Sequence, residues 1–270
     1  LREPLPILSR CILGGTLFLM ILISTSCRTG SGAFYEWCEK CDFPRICKKY
    51  FRNFLVMRIG ILSAIKEELK PFPNLKKLDS DVDGNTWFRM DHPKHQIWLC
   101  AGGLGKVNAA IASTLLIHEH KIDLLLNTGI AGTLDPSLNL TDVCYGKRLI
   151  QHDYGTLKEE QIEVYPAGSI PLGDSRESSF TPENWLVGLL EKKMPELRAV
   201  TLLSGDVFLQ CHKTGDRLRK RFQAQLVDME SAAVAQATAK FRIPFLAIRS
   251  VSDLVGEHPE GVPEIGRAHV

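Results

Sequence analysis

From Met57 onward, apolar runs alternate with segments of helical spacing, and this alternation most constrains the fold. The apolar runs are RIGILSA (58–64), QIWLCAGG (96–103), IDLLLNTGIAG (122–132), AVTLLSGDVF (199–208), QLVDME (225–230) and IPFLAIRSVSD (243–253). Between them lie GKVNAAIASTLLIHEH (105–120), FTPENWLVGLLEKKM (180–194), KTGDRLRKRF (213–222) and SAAVAQATAKF (231–241). Strands apolar on both faces belong in a sheet covered on both sides. The pattern therefore predicts an α/β fold: a three-layer αβα sandwich around a central mixed, mainly parallel sheet. In the first helix, Val107, Ala110, Ile111, Leu115 and His118 form the predicted inward stripe. In the second, Thr181 is the expected N-cap and Pro182 the first helical residue. DVCYGKRLIQHD (142–153) mixes β-branched and polar residues and reads as an exposed strand, and IDLLLNTGIAG as a strand running into a glycine-rich turn.

The two ends read differently. Residues 1–56 hold the apolar run CILGGTLFLMILIST (11–25), preceded by Arg2 and Arg10, which resembles a signal-peptide core and is short for a membrane span. STSC, ending at Cys27, suggests a lipoprotein cleavage box. Five of the eight cysteines fall in this leader, and CEKC with Cys47 raises a metal site that no histidine or fourth paired cysteine completes. A third reading is favoured. The chain begins with Leu, and Met57 opens the first strand, so 1–56 reads as in-frame upstream translation. The expectation is then a cytoplasmic protein, exported or membrane-anchored only if the leader is genuine. Cys100, Cys144 and Cys211 are scattered, as reduced thiols are. EIGRAHV (264–270) reads as a translated adapter sequence. The folded domain is expected over 57–263, cut short at its C-terminus.

A chain of 270 residues, 44% apolar and 24% charged, suits one domain, or two, with a substantial core. The net charge of +2 points to no class of partner, and no basic stripe with interleaved aromatics suggests nucleic acid.

In parallel sheets, ligands sit beyond the carboxyl ends of the strands. Polar and glycine-rich residues gather there: SAIKEE, AGGLGK, NTGIAG, SGDVF, VDME and RSVSD. The glycines allow close backbone approach, but form neither a Walker loop nor a dinucleotide fingerprint. Asp228 and Glu230 flank Met229 where a strand gives way to a helix. Either the helix dipole stabilises them or they handle a ligand. Glu67 and Glu68 admit the same two readings. Asp253, after Ser252, is either a helix cap or an acid holding a proton near neutral pH. Arg249 sits inside an apolar strand and needs a partner, for which Glu230 is the candidate. Phe208 is either core or a ring on which a base stacks.

With these motifs in order, GILSAIKEE, GGLGKVNAA, NTGIAG, SGDVF, VDMESAAVA and RSVSD, the chain resembles the purine nucleoside phosphorylase/hydrolase superfamily. Within it, the motifs are most similar to the 5′-methylthioadenosine/S-adenosylhomocysteine nucleosidases. The resemblance implies hydrolysis of the N-glycosidic bond to adenine, with no cofactor or metal, a small nucleoside as substrate, and a homodimer. It implies a catalytic set of Glu68, Asp253 and Glu230. Glu68 would activate water, Asp253 would protonate adenine at N7 with Ser252 orienting it, and Glu230 would bind the ribose hydroxyls. Met229 would pack on the sugar and Arg249 would support Glu230. Phe208 would stack on the purine, and the Leu209 backbone would read its edge.

Departures from the family are Asp228 for its glutamate, Gly102 for its serine and Ile65 for its methionine. Gly102 would remove a hydroxyl near the water, and Ile65 would wall the 5′ group. Residues 151–176 form the family's variable loop, and LVGEHPEG after Asp253 does not show its last helix. Phosphorylases need arginines for phosphate; the acidic KEE after the first strand favours water. Another purine nucleoside hydrolase or phosphorylase, of futalosine type for example, and a non-catalytic nucleoside-binding module stay open as alternatives.

Overall fold

The computed structural model describes residues 56–78, 84–159, 161–172 and 179–256. The leader, its cysteines and the tail after Gly256 lie outside the described residues, as do the expectations that fall on them. The elements run β1 (Arg58–Ser63), a 3-10 turn (Lys66–Leu69), β2 (Leu75–Lys77), β3 (Thr86–Met90), β4 (Gln96–Ala101), α1 (Lys106–Glu119), β5 (Leu124–Thr133) and β6 (Val143–Gln151). There follow β7 (Gly155–Lys158), β8 (Gln161–Val164), α2 (Asn184–Lys193), β9 (Arg198–Ser204), α3 (His212–Phe222), β10 (Leu226–Asp228), α4 (Ser231–Phe241) and β11 (Phe245–Leu254).

Nine strands form one sheet in the order β10-β9-β6-β11-β5-β1-β4-β3-β2. The ladders β1/β4, β1/β5, β5/β11, β6/β9 and β9/β10 are parallel; β2/β3, β3/β4, β6/β11 and β5/β10 are antiparallel. Because β10 pairs with both β9 and β5, the strands β5, β11, β6, β9 and β10 close on themselves. Alternate residues of each strand serve opposite layers. Ile59, Ile61, Leu124, Leu126, Leu246 and Ile248 meet Leu186 and Leu190 of α2. Leu62, Cys100 and Leu125 meet Ala109, Ala112 and Leu116 of α1 and Ala233 and Val234 of α4. The three-layer α/β expectation holds, with a sheet more evenly mixed than the apolar runs suggest.

Four local readings are corrected. The strand expected to be exposed is β6, which lies between β11 and β9 with Cys144, Tyr145, Leu149 and Ile150 buried. Its polar residues sit in an interior strand of the sheet, paired on both sides. Helix α2 starts at Asn184 after Glu183, not at Thr181 and Pro182. Phe180 exchanges both backbone hydrogen bonds with Leu149, at 2.9 Å each, and holds the chain extended up to the proline. Strand β5 does not turn at its glycines but runs through them to Thr133, held by β11 throughout. Helix α1 buries Ala109, Ala112, Ser113, Leu116 and Ile117. Val107 and Ile111, expected inward, are 69% and 49% exposed. Small residues let α1 approach α4 closely, and that contact turns the larger aliphatics outward.

Candidate active site

Where β1 ends, the chain enters the 3-10 turn and presents Glu68, whose side chain folds back and is buried. Its Oε2 accepts hydrogen bonds from the backbone N–H of Ala64 (3.0 Å) and Ile65 (3.3 Å), and its Oε1 accepts one from Ile130 in β5 (3.1 Å). Burial raises its pKa above the ordinary carboxylate value, while Arg249 and these amides pull it back. The carboxylate is thus held in place, yet more basic than an exposed glutamate.

Gly129 of β5 faces Arg249 of β11 in register. A Cβ at Gly129 would lie 2.6 Å from Glu68 Oε1 and 2.9 Å from Arg249 Nη1. Glycine is required there because the two charged groups converge over its Cα. Arg249 is buried and fixed by two bonds: Nε to Asp228 Oδ2 at 2.8 Å and Nη2 to Asn127 Oδ1 at 2.7 Å. Its third nitrogen, Nη1, has no hydrogen-bond partner among the described residues. A buried, unmatched donor beside a basic carboxylate is a place for a polar ligand atom.

Glu230 approaches from the β10–α4 junction and is buried. Gly105 N–H, at the start of α1, donates to its Oε1 at 2.9 Å. Its pKa is pushed up to about 7, by burial first, then by Asp228, with Arg249 opposing. The expected pairing of Arg249 with Glu230 is present as a long ion pair, and Asp228 is the closer partner. Arg249 and Glu230 approach to 4.0 Å, while Asp228 takes the guanidinium. The shorter aspartate sits deeper at the strand end, closer to Arg249.

Asp228, open above between a dipole-stabilised and a ligand-handling role, is accordingly a hub of hydrogen bonds within the protein. Ser204 Oγ donates to Oδ1 at 2.5 Å, as do the N–H groups of Glu230 and Ser231 at 3.2 Å. Ser231 Oγ donates to Oδ2. Both oxygens are taken by the protein. Ser231 Oγ also lies 2.9 Å from Asn127 Oδ1, and Asn127 Nδ2 donates to Leu62 O at 3.0 Å. Asn127, Ser204, Ser231 and Gly105 are the supporting residues that motif reading missed. A lone asparagine in the apolar run LLLNTG was the available signal.

Asp253 is buried further along β11, opposite Gly132 after a bulge. Ser252 Oγ lies 2.6 Å from Asp253 Oδ1 and 3.2 Å from Ala131 O, so its one proton serves either acceptor. Among the described residues, no hydrogen bond or ion pair joins Asp253 to Glu68, Glu230 or Arg249. Instead, the β5 stretch from Gly129 to Gly132 touches both groups, Glu68 at one end and Asp253 at the other. Phe208 is 48% exposed and Val207 56%. Leu209 and Met229 are half-buried, and Ile65 is half-buried with its amide on Glu68.

The residue type expected to matter at Gly102 is corrected too. A Cβ there would lie 2.6 Å from Ala112 Cβ and 3.2 Å from Leu62 Cδ1. It points into the packing between β1 and α1, not at the carboxylates.

The sequence profile of the phosphorylase superfamily matches residues 58–267. The chain belongs to this superfamily. Among superfamily relatives, it is 34% identical over 224 residues to the 5′-methylthioadenosine/S-adenosylhomocysteine nucleosidase of Mycobacterium bovis, covering 75% of this chain and 88% of that protein. Two solved superfamily structures from Helicobacter pylori superpose with a TM-score of 0.66 at 26% identity. One is an aspartate-to-asparagine variant of the methylthioadenosine nucleosidase with 5′-methylthioadenosine in its active site, covering 79% of this chain and 90% of that one. The other is a futalosine hydrolase mutant, covering 79% and 91%.

Proposed function

We propose that the chain hydrolyses the N-glycosidic bond of 5′-methylthioadenosine and S-adenosylhomocysteine, releasing adenine and a 5′-thioribose product. The observation that carries this reading is the convergence of Glu68 Oε1 and Arg249 Nη1 over Gly129, with Glu230 in the same electrostatic set. Departure of adenine leaves the ribosyl ring with oxocarbenium character. Carboxylates around that cation lower its energy, and a base must take a proton from the attacking water. Glu68 is the base, its basicity raised by burial. Arg249 Nη1 holds the water oxygen. Glu230, anchored by Gly105 N–H, grips the ribose diol. Asp253, with Ser252 beside it, gives its proton to N7 of the leaving purine. Phe208 stacks on the base, the Leu209 backbone reads its edge, and Met229 and Ile65 line the sugar and its 5′ group. General acid–base assistance of this kind is worth about 10²–10⁴-fold per group.

Water is favoured over phosphate as nucleophile by charge. Among the described residues, Arg249 is the one cation paired with Asp228 and Glu230, and two of its nitrogens are already engaged. A phosphate dianion would meet Glu68 and Glu230 with little to offset them.

The proposal extends to a domain over 57–263 acting as a cytoplasmic homodimer. The buried thiol of Cys144, outside any disulfide, supports the compartment. The exposed aliphatics Leu104, just before α1, and Val107 and Ile111 on it support a second copy docking there. Ile111→Glu should then give a monomer in sedimentation; an unchanged mass would remove the dimer from the account. Among the described residues, no helix is long and apolar enough to cross a membrane.

The function is tested with methylthioadenosine, S-adenosylhomocysteine and 6-amino-6-deoxyfutalosine as alternative substrates. The first two should release adenine with similar kcat/KM, and the third should lag by at least about tenfold. Asp253→Asn should stop turnover while nucleoside binding persists. Full turnover in that variant would remove Asp253 as the acid, and preference for the third substrate would give a futalosine-type hydrolase.

A further inference from the structure

Behind Glu230 lies a charge cluster that the chemistry above leaves unused. Lys106 Nζ lies 2.6 Å from Asp153 Oδ1 and 3.7 Å from Asp206 Oδ2. The lysine and Asp153 side chains are only 17% and 14% exposed, so solvent screens this pair less than a surface pair. Backbone bonds interlock the three: Lys106 N–H donates to Asp206 Oδ1 at 2.7 Å, and Asp206 N–H donates to Asp153 Oδ2 at 2.8 Å. The members come from three separate segments: the start of α1, the β6–β7 connection and the loop after β9.

Two of these segments adjoin a group assigned above to substrate binding. Gly105, the neighbour of Lys106, donates its N–H to Glu230. Asp206 is two residues from Phe208. The same loop is pressed on His152, since a Cβ at Gly205 would lie 2.5 Å from its Nε2. Gly205 N–H reaches Asp228 O at 3.2 Å, closing the loop onto the Asp228 hub.

We infer that Lys106, Asp153 and Asp206 are positioning residues, an ion clamp that sets the diol-binding Glu230 and the base-stacking loop at Phe208 relative to one another. Ribose and base are joined rigidly in the substrate, so their two binding elements must be held in register. The clamp connects them through side chains that touch neither. This inference rests on the nucleosidase reading for its kinetic consequence, but not for its structural one.

The test uses the full chain with Lys106→Met, Asp206→Asn and the double variant, with Lys106→Arg as the conservative control. Loss of register weakens ground state and transition state alike, so KM should rise about tenfold or more with kcat changed far less. Lys106→Arg should recover most of the affinity. The double variant should be no worse than the poorer single one, because the residues act as a unit. Amide exchange at Gly105 supplies a readout free of activity: its protection should fall about tenfold in both variants. Unchanged KM and unchanged Gly105 protection would overturn the clamp, as would strictly additive effects. If the wild type releases no adenine, the nucleosidase reading fails while the amide measurement still decides the clamp. Should Lys106→Met fail to fold, Asp206→Asn at the more exposed member carries the same measurements.

Discussion

Arg249 Nε donates to Asp228 Oδ2 across 2.8 Å, and the side chains of the pair are 3% and 2% exposed. This buried pair fastens β11 to the β10–α4 junction and aims the rest of the guanidinium at Glu68. Such a pair costs desolvation on both sides, and losing one partner strands the other charge. Arg249→Met should therefore destabilise the fold by about 3–5 kcal/mol, read from denaturant midpoints. Asp228→Asn should cost a comparable amount, since the amide's single oxygen can accept on one side only and its NH2 then faces donors on the other. A near-zero loss in Asp228→Asn would contradict the hub described here.

Glu230 gives a pH signature whose sign is fixed by its environment. Its folded pKa lies above the ordinary glutamate value, at about 7. The proton is bound more tightly folded than unfolded. Its contribution to stability is thus complete below the ordinary range near 4.5 and is lost as pH rises through about 7. Glu230→Gln stays neutral throughout. Relative to wild type, the variant should gain stability between about pH 5 and about pH 8.5, by up to roughly 3 kcal/mol at full effect. Thermal midpoints at both pH values check this; a constant gap would place the carboxylate in a wetter site than its burial implies.

Gly129 should tolerate no side chain. In Gly129→Ala, the methyl would meet Glu68 Oε1 and Arg249 Nη1 at under 3 Å. One carboxylate must move, so turnover should fall at least about 10²-fold while the fold survives with a loss of about 1–3 kcal/mol. Circular dichroism and adenine release separate the two effects, and near-normal turnover would mean that Glu68 is not the base.

How much of this was legible in the sequence divides along physical lines. The apolar runs gave the α/β class because burial on both faces leaves a compositional mark at every position. The same logic marked Glu230, Arg249 and Asp253 as charges that need a use, while the roles of these residues and of Glu68 came from the family resemblance. What the sequence left open was which charge met which. Asp228 and Glu230 differ by one methylene and two positions, and only the depth of each carboxylate decides that Arg249 takes Asp228. Helix α1 misled for a related reason. Its aliphatic stripe follows helical periodicity, but close packing of Ala109 and Ala112 selected the opposite face.

Gly102 shows the same limit at one position. Its absent side chain points at Ala112, so Gly102→Ser should destabilise by about 1–3 kcal/mol through overpacking. Adding Ala112→Gly should relieve the clash, though a helix glycine itself costs about 1 kcal/mol. A stabilised Gly102→Ser single variant would contradict the packing described here.

The central claim is that water, activated by Glu68, is the nucleophile. Adenine release from methylthioadenosine in phosphate-free buffer, by wild type and by Glu68→Gln, tests it most directly. The account predicts turnover by the wild type that added phosphate does not raise, reduced about 10²–10⁴-fold in the variant. Strict dependence on phosphate, or a variant as fast as the wild type, would contradict it.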